Sequence, residues 1–152
     1  MQIKIRPLQE SDALISYQWR NNPLIWKYTG SKPDKIITVD MELMWIKKVL
    51  SRQNEKRFAI MADDVYIGNT YLTDISNQTA EFHIFIGEQN YWGKGIAGIV
   101  ITQVLSYAKN INLKTIQLEV HQDNMPALKL YKKAGFIEIS QNGQMIKMEK
   151  NL

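Results

Sequence analysis

Glu81 and His83 stand two residues apart in Glu81-Phe-His-Ile-Phe-Ile86, a stretch with the character of a strand, so their side chains share one face. A histidine titrates near neutrality, and burial raises a glutamate toward it. Either therefore suits the role of a general base, taking a proton directly or through a water. His121, after a later strand, is a weaker third candidate. Directly beyond Ile86 the chain turns through Gly87-Glu-Gln-Asn-Tyr-Trp-Gly-Lys-Gly-Ile-Ala-Gly98 into an amphipathic helix. A helix N-terminus leaves orphan backbone N–H groups and carries partial positive charge, which makes an anion site suited to a phosphate or pyrophosphate. Gly93 and Gly95 allow close approach of a ligand to that backbone. The chain has no cysteine, so it holds no disulfide, no thiolate nucleophile and no Cys-ligated metal; no other residues fall at metal-ligand spacing.

The elements that must carry these residues are readable from period and punctuation. Ile3-Lys-Ile-Arg-Pro7 is a strand ended by proline, and Ser11-Asp12 caps a helix through Leu14, Ile15, Trp19 and Arg20. Leu24 to Lys35 reads as a loop. Thr38 or Asp40 caps a second helix with Leu43, Met44, Ile46 and Leu50 at helical spacing. From Arg57 the period becomes two: Phe58–Ala62 and Val65–Thr73 form a hairpin about Asp63-Asp64, and a turn at Ser76–Thr79 leads into Glu81–Ile86. The helix Ile96–Lys109 should bury Ile99, Val100, Val104, Tyr107 and Ala108. Thr115–Val120 is a strand, Pro126–Lys133 a helix ended by Gly135, and Phe136–Ile139 with Met145–Met148 a closing hairpin. This order predicts an α/β (α+β) domain over 1–152, a mixed, mostly antiparallel sheet of about seven strands flanked by about four helices. The unit from Glu81 to Val120 should be parallel.

Composition narrows the class. The 152 residues suit one domain, 45% hydrophobic and 22% charged, which is ordinary for a soluble protein. No apolar run approaches the ~20 residues of a membrane span, and the first residues lack the apolar core of a signal peptide, so the expectation is a cytoplasmic protein with no membrane partner. The net charge of +4 sits wholly in residues 1–56, with ten Lys/Arg against six Asp/Glu. This asymmetry suits an anionic small molecule, while no arginine-rich run or basic helix points to nucleic acid.

Gly93-Lys-Gly95-Ile-Ala-Gly98 matches a dinucleotide fingerprint literally, with Glu119 about the expected distance beyond. Its context does not match: Gly87–Trp92 separate the strand from the first glycine, and only 33 residues follow Glu119. A Walker loop would need Ser or Thr after Lys94. Taken instead with Asn124-x-x-Ala127-x-x-x-Tyr131-x-x-x-Gly135-Phe136, the turn Tyr91-Trp-Gly-Lys-Gly-Ile-Ala97 resembles the GNAT (GCN5-related) N-acetyltransferases, across nearly the whole chain. Ile5-Arg-Pro-Leu8, Trp19-Arg-Asn21 and the order of elements extend the likeness. The chain departs from the family pattern at Trp92, where Gln or Arg is usual, and in a loop Gly87–Asn90 that is one residue longer and lacks proline.

The resemblance implies the GNAT acyl-CoA N-acyltransferase fold, with acetyl-CoA as co-substrate and no metal. It places the pyrophosphate on backbone N–H groups of Trp92, Gly93, Lys94, Gly95, Ile96 and Ala97. It places the pantetheine arm in a gap between Glu81–Ile86 and Thr115–Val120, bonded to backbone near Phe85, Ile86 and Gly87. Tyr131 becomes the acid that protonates the leaving thiolate, and Asn124 a residue that hydrogen-bonds cofactor or substrate. Glu81 or His83 is then the base. The acceptor should bind through the aromatic N-terminal third, at Trp19, Arg20, Trp26, Tyr28 and Trp45, with Tyr71 from the hairpin; an exposed pair would stack a sugar or base. Trp19-Arg-Asn21 is similar to family members acting on amino groups of nucleotide-linked sugars. Ala80-Glu-Phe82 and the turn are similar to spermidine acetyltransferases, whose acceptor calls for acidic residues. The expected function is N-acetylation of a primary amine on a small anionic molecule, by a monomer or homodimer. Protein N-termini, polyamines and a non-catalytic acyl-CoA-binding module are the alternatives.

Overall fold

The computed structural model describes residues 1–27 and 32–152, and the expected acceptor residue Tyr28 lies outside the described residues. Seven strands, β1 (Ile3–Pro7), β2 (Lys56–Ala62), β3 (Val65–Ser76), β4 (Thr79–Ile86), β5 (Thr115–His121), β6 (Ile137–Asn142) and β7 (Met145–Asn151), form one sheet in the order β1-β2-β3-β4-β5-β7-β6. Only β4 and β5 are parallel; every other neighbouring pair is antiparallel. The described helices are α1 (Ala13–Arg20), α2 (Pro23–Trp26), α3 (Val39–Leu50), α4 (Ile96–Asn110) and α5 (Met125–Lys133). The mixed sheet agrees with the sequence; α2 is a fifth helix where a loop was expected. Pro23 at its first turn and the Asn22 side chain, which accepts from the Leu24 N–H, nucleate it.

The sheet divides the core in two. On one face α4 and α5 bury Val100, Ile101, Val104, Leu128 and Tyr131 against Ile60, Leu72, Phe82, Ile116 and Leu118. On the other, α1 and α3 cover β1–β3, with Ala13, Trp19 and Ile46 packed on Ala59 and Tyr66. Helix phase is where the sequence reading slips. Leu14, Ile15, Met44 and Ile99 are exposed, while Ser16, Glu42 and Ile101 turn inward. Ser16 and Glu42 satisfy each other there, the hydroxyl donating to the carboxylate at 3.0 Å, so their burial costs no orphaned group.

The strand pairing positions the site. Cross-strand partners place Arg57, Tyr71 and His83 side by side across β2, β3 and β4, with Ala59, Asn69 and Phe85 in the neighbouring row. Between β4 and β5 only Thr79–Glu81 and Thr115–Gln117 pair. Beyond Glu81 and Gln117 the two strands run on without a mutual ladder, opening the gap that was expected there.

Candidate active site

The α4 N-terminus forms one end of the site. A 3₁₀ turn over Gln89–Tyr91 takes up the extra loop residue, and Gly93 (φ 73°) and Gly95 (φ 76°) then bring the chain into the helix. A Cβ built on either glycine would meet nothing within 4 Å. Their requirement is therefore backbone conformation, and the space beside them is open. No hydrogen bond engages the N–H groups of Gly93, Lys94 or Gly95 among the described residues, and Ile96 and Ala97 begin the helix with N–H groups that have no preceding turn to bond. No acidic residue stands in the first turn. This donor set fits a pyrophosphate.

Trp92 is a correction to that set. Its backbone N–H donates to the Gln89 carbonyl at 3.0 Å, closing the 3₁₀ turn, so it does not face a ligand. Its indole N–H instead donates to the Ile86 carbonyl at 2.8 Å and ties the turn back to the end of β4. Gly98, the third glycine of the literal fingerprint, brings a Cβ position only into ordinary contact with Leu130 at 3.4 Å. It carries no close helix–strand approach. Lys94 lies with Nζ 5.6 Å above the Tyr91 ring.

Gly87 is a second correction. Its N–H donates to the Ile67 carbonyl at 2.7 Å, and the Ile86 carbonyl already accepts Trp92, so these groups are committed within the protein. A Cβ at Gly87 would fall 2.1 Å from the Trp19 indole. Glycine is needed there because Trp19 packs on the backbone. Gly87→Ala should lower stability by on the order of 2 kcal/mol through overpacking, read as a shifted denaturant midpoint. An unchanged midpoint would show that Trp19 can yield.

Tyr131, on α5, lies edge-on to Phe82 and Phe136 at centroid distances of 6.3 and 6.0 Å. Burial alone pushes its hydroxyl up to about 12, so the proton stays on at neutral pH. That hydroxyl makes no hydrogen bond among the described residues, although no fully buried side-chain oxygen lacks a partner; it therefore opens to the surface. Asn124 caps α5, its Oδ1 accepting from the Ala127 N–H at 3.3 Å. Glu81 and His83 face the opposite side of the sheet from Tyr131, since they alternate along β4 with Phe82, which packs against Tyr131. The unladdered gap between β4 and β5 joins the two sides.

Burial raises the Glu81 carboxyl, Glu119 and Asp74 raise it further, and Lys147 opposes them. His83 departs from the ordinary titration expected of it. Burial first, and the Arg57 cation second, press it down to about 4, against the opposing pull of Asp74 and Glu55. Its Nε2 lies 2.9 Å from the Thr73 hydroxyl and 3.8 Å from Glu81, so a neutral ring hydrogen-bonds the hydroxyl and forms no ion pair. His83 stays neutral in the fold down to about pH 4, whereas the unfolded chain takes a proton near 6.5. Its contribution to stability is present above the higher value and is lost as pH falls between the two. His83→Gln should lessen the fall in Tm between neutral pH and about pH 4. Parallel curves for both proteins would exclude this.

A cavity of about 160 Å³ opens on the His83 side, between α1–α3 and the sheet. Trp19, Arg20, Trp26, Trp45 and Tyr71, all expected acceptor residues, line it, as do Glu42, Arg57, Asn69 and Phe85. Trp19, one of the expected acceptor residues, is a core residue whose edge reaches the cavity. It is 4% exposed, packs on Tyr66 and Phe85, and donates its indole N–H to Glu88 at 3.0 Å. Arg20 pairs with buried Glu42 at 2.9 Å. Arg57 binds Glu55 at 2.7 Å, and Arg52 binds the same carboxylate at 3.1 Å. Trp45 has the guanidinium carbons of Arg20, Arg52 and Arg57 within 5.3 to 5.9 Å of its ring. Arg57 was not among the expected acceptor residues; it shares a face of β2 with Ala59 and Met61, which pack toward α1 and α3.

Among the described residues no group of His, Asp and Glu could hold a metal, and no helix is long and apolar enough to cross a membrane. A family model described as the acetyltransferase (GNAT) domain matches residues 2–137. An uncharacterised protein of Methanocaldococcus jannaschii is 27% identical over 138 residues, 88% of this chain, which spans 28% of that protein's length. The acetyltransferase PseH of Campylobacter jejuni is 28% identical over 130 residues, 85% of this chain and 79% of that protein. The crystal structure of Vibrio cholerae spermidine N-acetyltransferase with CoA and spermine superposes with a TM-score of 0.89 at 27% identity, covering 99% of this chain and 95% of that one. The chain belongs to the GNAT family of N-acetyltransferases.

Proposed function

We propose that this enzyme transfers the acetyl group of acetyl-CoA directly to a primary amine on a small anionic molecule, such as an amino-sugar nucleotide, within a ternary complex. The observation that carries this reading is the state of charge on the cavity wall. The carboxylate that lines it, Glu42, is already bound by Arg20 and Ser16, and Glu55, which holds the lining Arg57 from outside the cavity, is bound by Arg52 and Arg57. A polyamine would need carboxylates free to meet its ammonium groups. The arginines, stacked on Trp45 and Tyr71, instead favour phosphate or carboxylate and a planar or sugar ring.

The chemistry asks little of the protein beyond placement and proton transfer. Backbone N–H groups from Gly93 to Ala97 hold the pyrophosphate, and the gap beyond Glu81 admits the thioester. The amine attacks the thioester carbonyl from the cavity side. Its proton passes to Glu81, raised toward neutrality by burial, or to neutral His83, directly or through a water. On the far side Tyr131 donates a hydrogen bond and then a proton to the departing sulfur. A thiol-release assay with acetyl-CoA and a panel of amines tests the reading. Turnover should be fastest with phosphate-bearing amino sugars. Preference for spermidine or a peptide N-terminus would overturn the anionic acceptor, and saturable cofactor binding with no turnover on any amine would overturn catalysis itself.

A further inference from the structure

Resting on that acceptor reading, we propose that Arg57, clamped between Trp45 and Tyr71, recognises the acceptor's anionic group and reports its occupancy to His83 through the Tyr71 ring. Arg57, Tyr71 and His83 are consecutive cross-strand partners, so the three side chains form one row on the cavity face of the sheet. The guanidinium lies 4.2 Å from the Tyr71 centroid, and His83 stacks on the same tyrosine at 4.6 Å with the rings 11° from parallel. Trp45 closes the other end of the row at 5.9 Å from Arg57.

Arg57 is built for this role. It is largely buried, with a side chain 11% exposed, yet it lines the cavity. Its Nε and Nη2 both donate to a single oxygen, Glu55 Oε1, at 3.0 and 2.7 Å. That pairing holds the guanidinium plane in place and leaves Nη1 outside it. An incoming phosphate therefore meets the Nη1 side of an oriented guanidinium whose stacking on two aromatic rings is already made.

The same cation governs the neighbouring imidazole. The charged groups that act on His83 are Arg57 from β2, Glu55 just before that strand and Asp74 from β3, with Glu81 two residues along β4 at 3.8 Å. Of these only Arg57 disfavours the imidazolium, and it is the largest influence after burial. An anion bound to Arg57 offsets that positive charge, so His83 holds a proton more readily once the acceptor is in place. Proton uptake is thereby coupled to the presence of substrate.

The chain has two histidines, so the imidazole resonances of His83 and His121 can be followed separately by NMR, with His83→Gln giving the assignment. CoA is kept saturating throughout to occupy the pyrophosphate cradle, and uridine diphosphate serves as the anionic probe. Arg57→Gln should raise the His83 midpoint by roughly one unit, while Arg57→Lys, which keeps the cation, should leave it low. The probe should raise the midpoint in the wild type and not in Arg57→Gln. A midpoint indifferent to Arg57→Gln, or a probe response that survives it, would overturn the proposal, as would a probe that moves neither histidine. Kinetics separate this failure from that of the acceptor reading. Equal KM values for an anionic amine in wild type and Arg57→Gln would remove Arg57 and leave the anionic acceptor standing. Absence of transfer to every anionic amine would remove the acceptor reading itself.

Discussion

Gly95→Asp should abolish acetyl-CoA binding at concentrations that saturate the wild type, with Kd rising on the order of 100-fold, about 2.7 kcal/mol. Gly95 is the residue immediately before α4, at φ 76°, and open space surrounds its Cβ position. The substitution costs left-handed strain of about 1–2 kcal/mol, with no steric clash, and the folded structure should persist. Function should not survive it. A carboxylate would occupy the mouth of a nest of unpaired N–H groups, where it satisfies the donors itself and repels the pyrophosphate. Calorimetric titration with acetyl-CoA checks binding, and thermal unfolding checks the fold. Normal affinity in a folded variant would show that the phosphate is held elsewhere.

Tyr131→Phe should lower kcat by on the order of 10²-fold with little change in cofactor affinity. The hydroxyl is protonated at neutral pH because burial pushes it up to about 12, and it opens to the surface without a partner among the described residues. Removing it takes nothing from the core. The ring keeps its edge contacts with Phe82 and Phe136, and no hydrogen bond within the protein is lost with the hydroxyl. Tm should therefore stay level or rise while turnover falls, an outcome that a purely structural tyrosine would not produce. Steady-state kinetics beside cofactor titration make the separation, and an unchanged kcat would take Tyr131 out of the proton path.

The parts of the site that were legible in the chain are those set by neighbours in sequence. Gly93 and Gly95 announce a turn into a helix because positive φ is a local demand that glycine meets without strain. Thr38 caps its helix through a bond to the residue three positions ahead. The alternation that opens at Arg57 marks β2 in the same local way, and it carries Arg57 and the neighbouring Ala59 to one face. Even the departure at Gly87–Asn90 was visible as an extra residue. That this residue is absorbed in a 3₁₀ turn, spending the Trp92 N–H on Gln89, needed the folded path of the loop.

What stayed hidden depends on register and on contacts between distant segments. No local pattern says that Arg57 lies opposite Tyr71 and Tyr71 opposite His83, because sliding a strand by one residue moves every side chain to the other face while its own sequence is unchanged. The depressed titration of His83 follows from its burial first and then from that row, whose charged member Arg57 lies 26 positions away in sequence. Gly87 looked like part of a cofactor loop, yet the Trp19 indole, 68 residues earlier, is what forbids a side chain there. The turn proposed to cradle the phosphate is thus written in adjacent residues. The cavity proposed to receive the amine is assembled from α1, α2, α3 and three strands, and its charge is decided by which carboxylates the fold brings against Arg20 and Arg57.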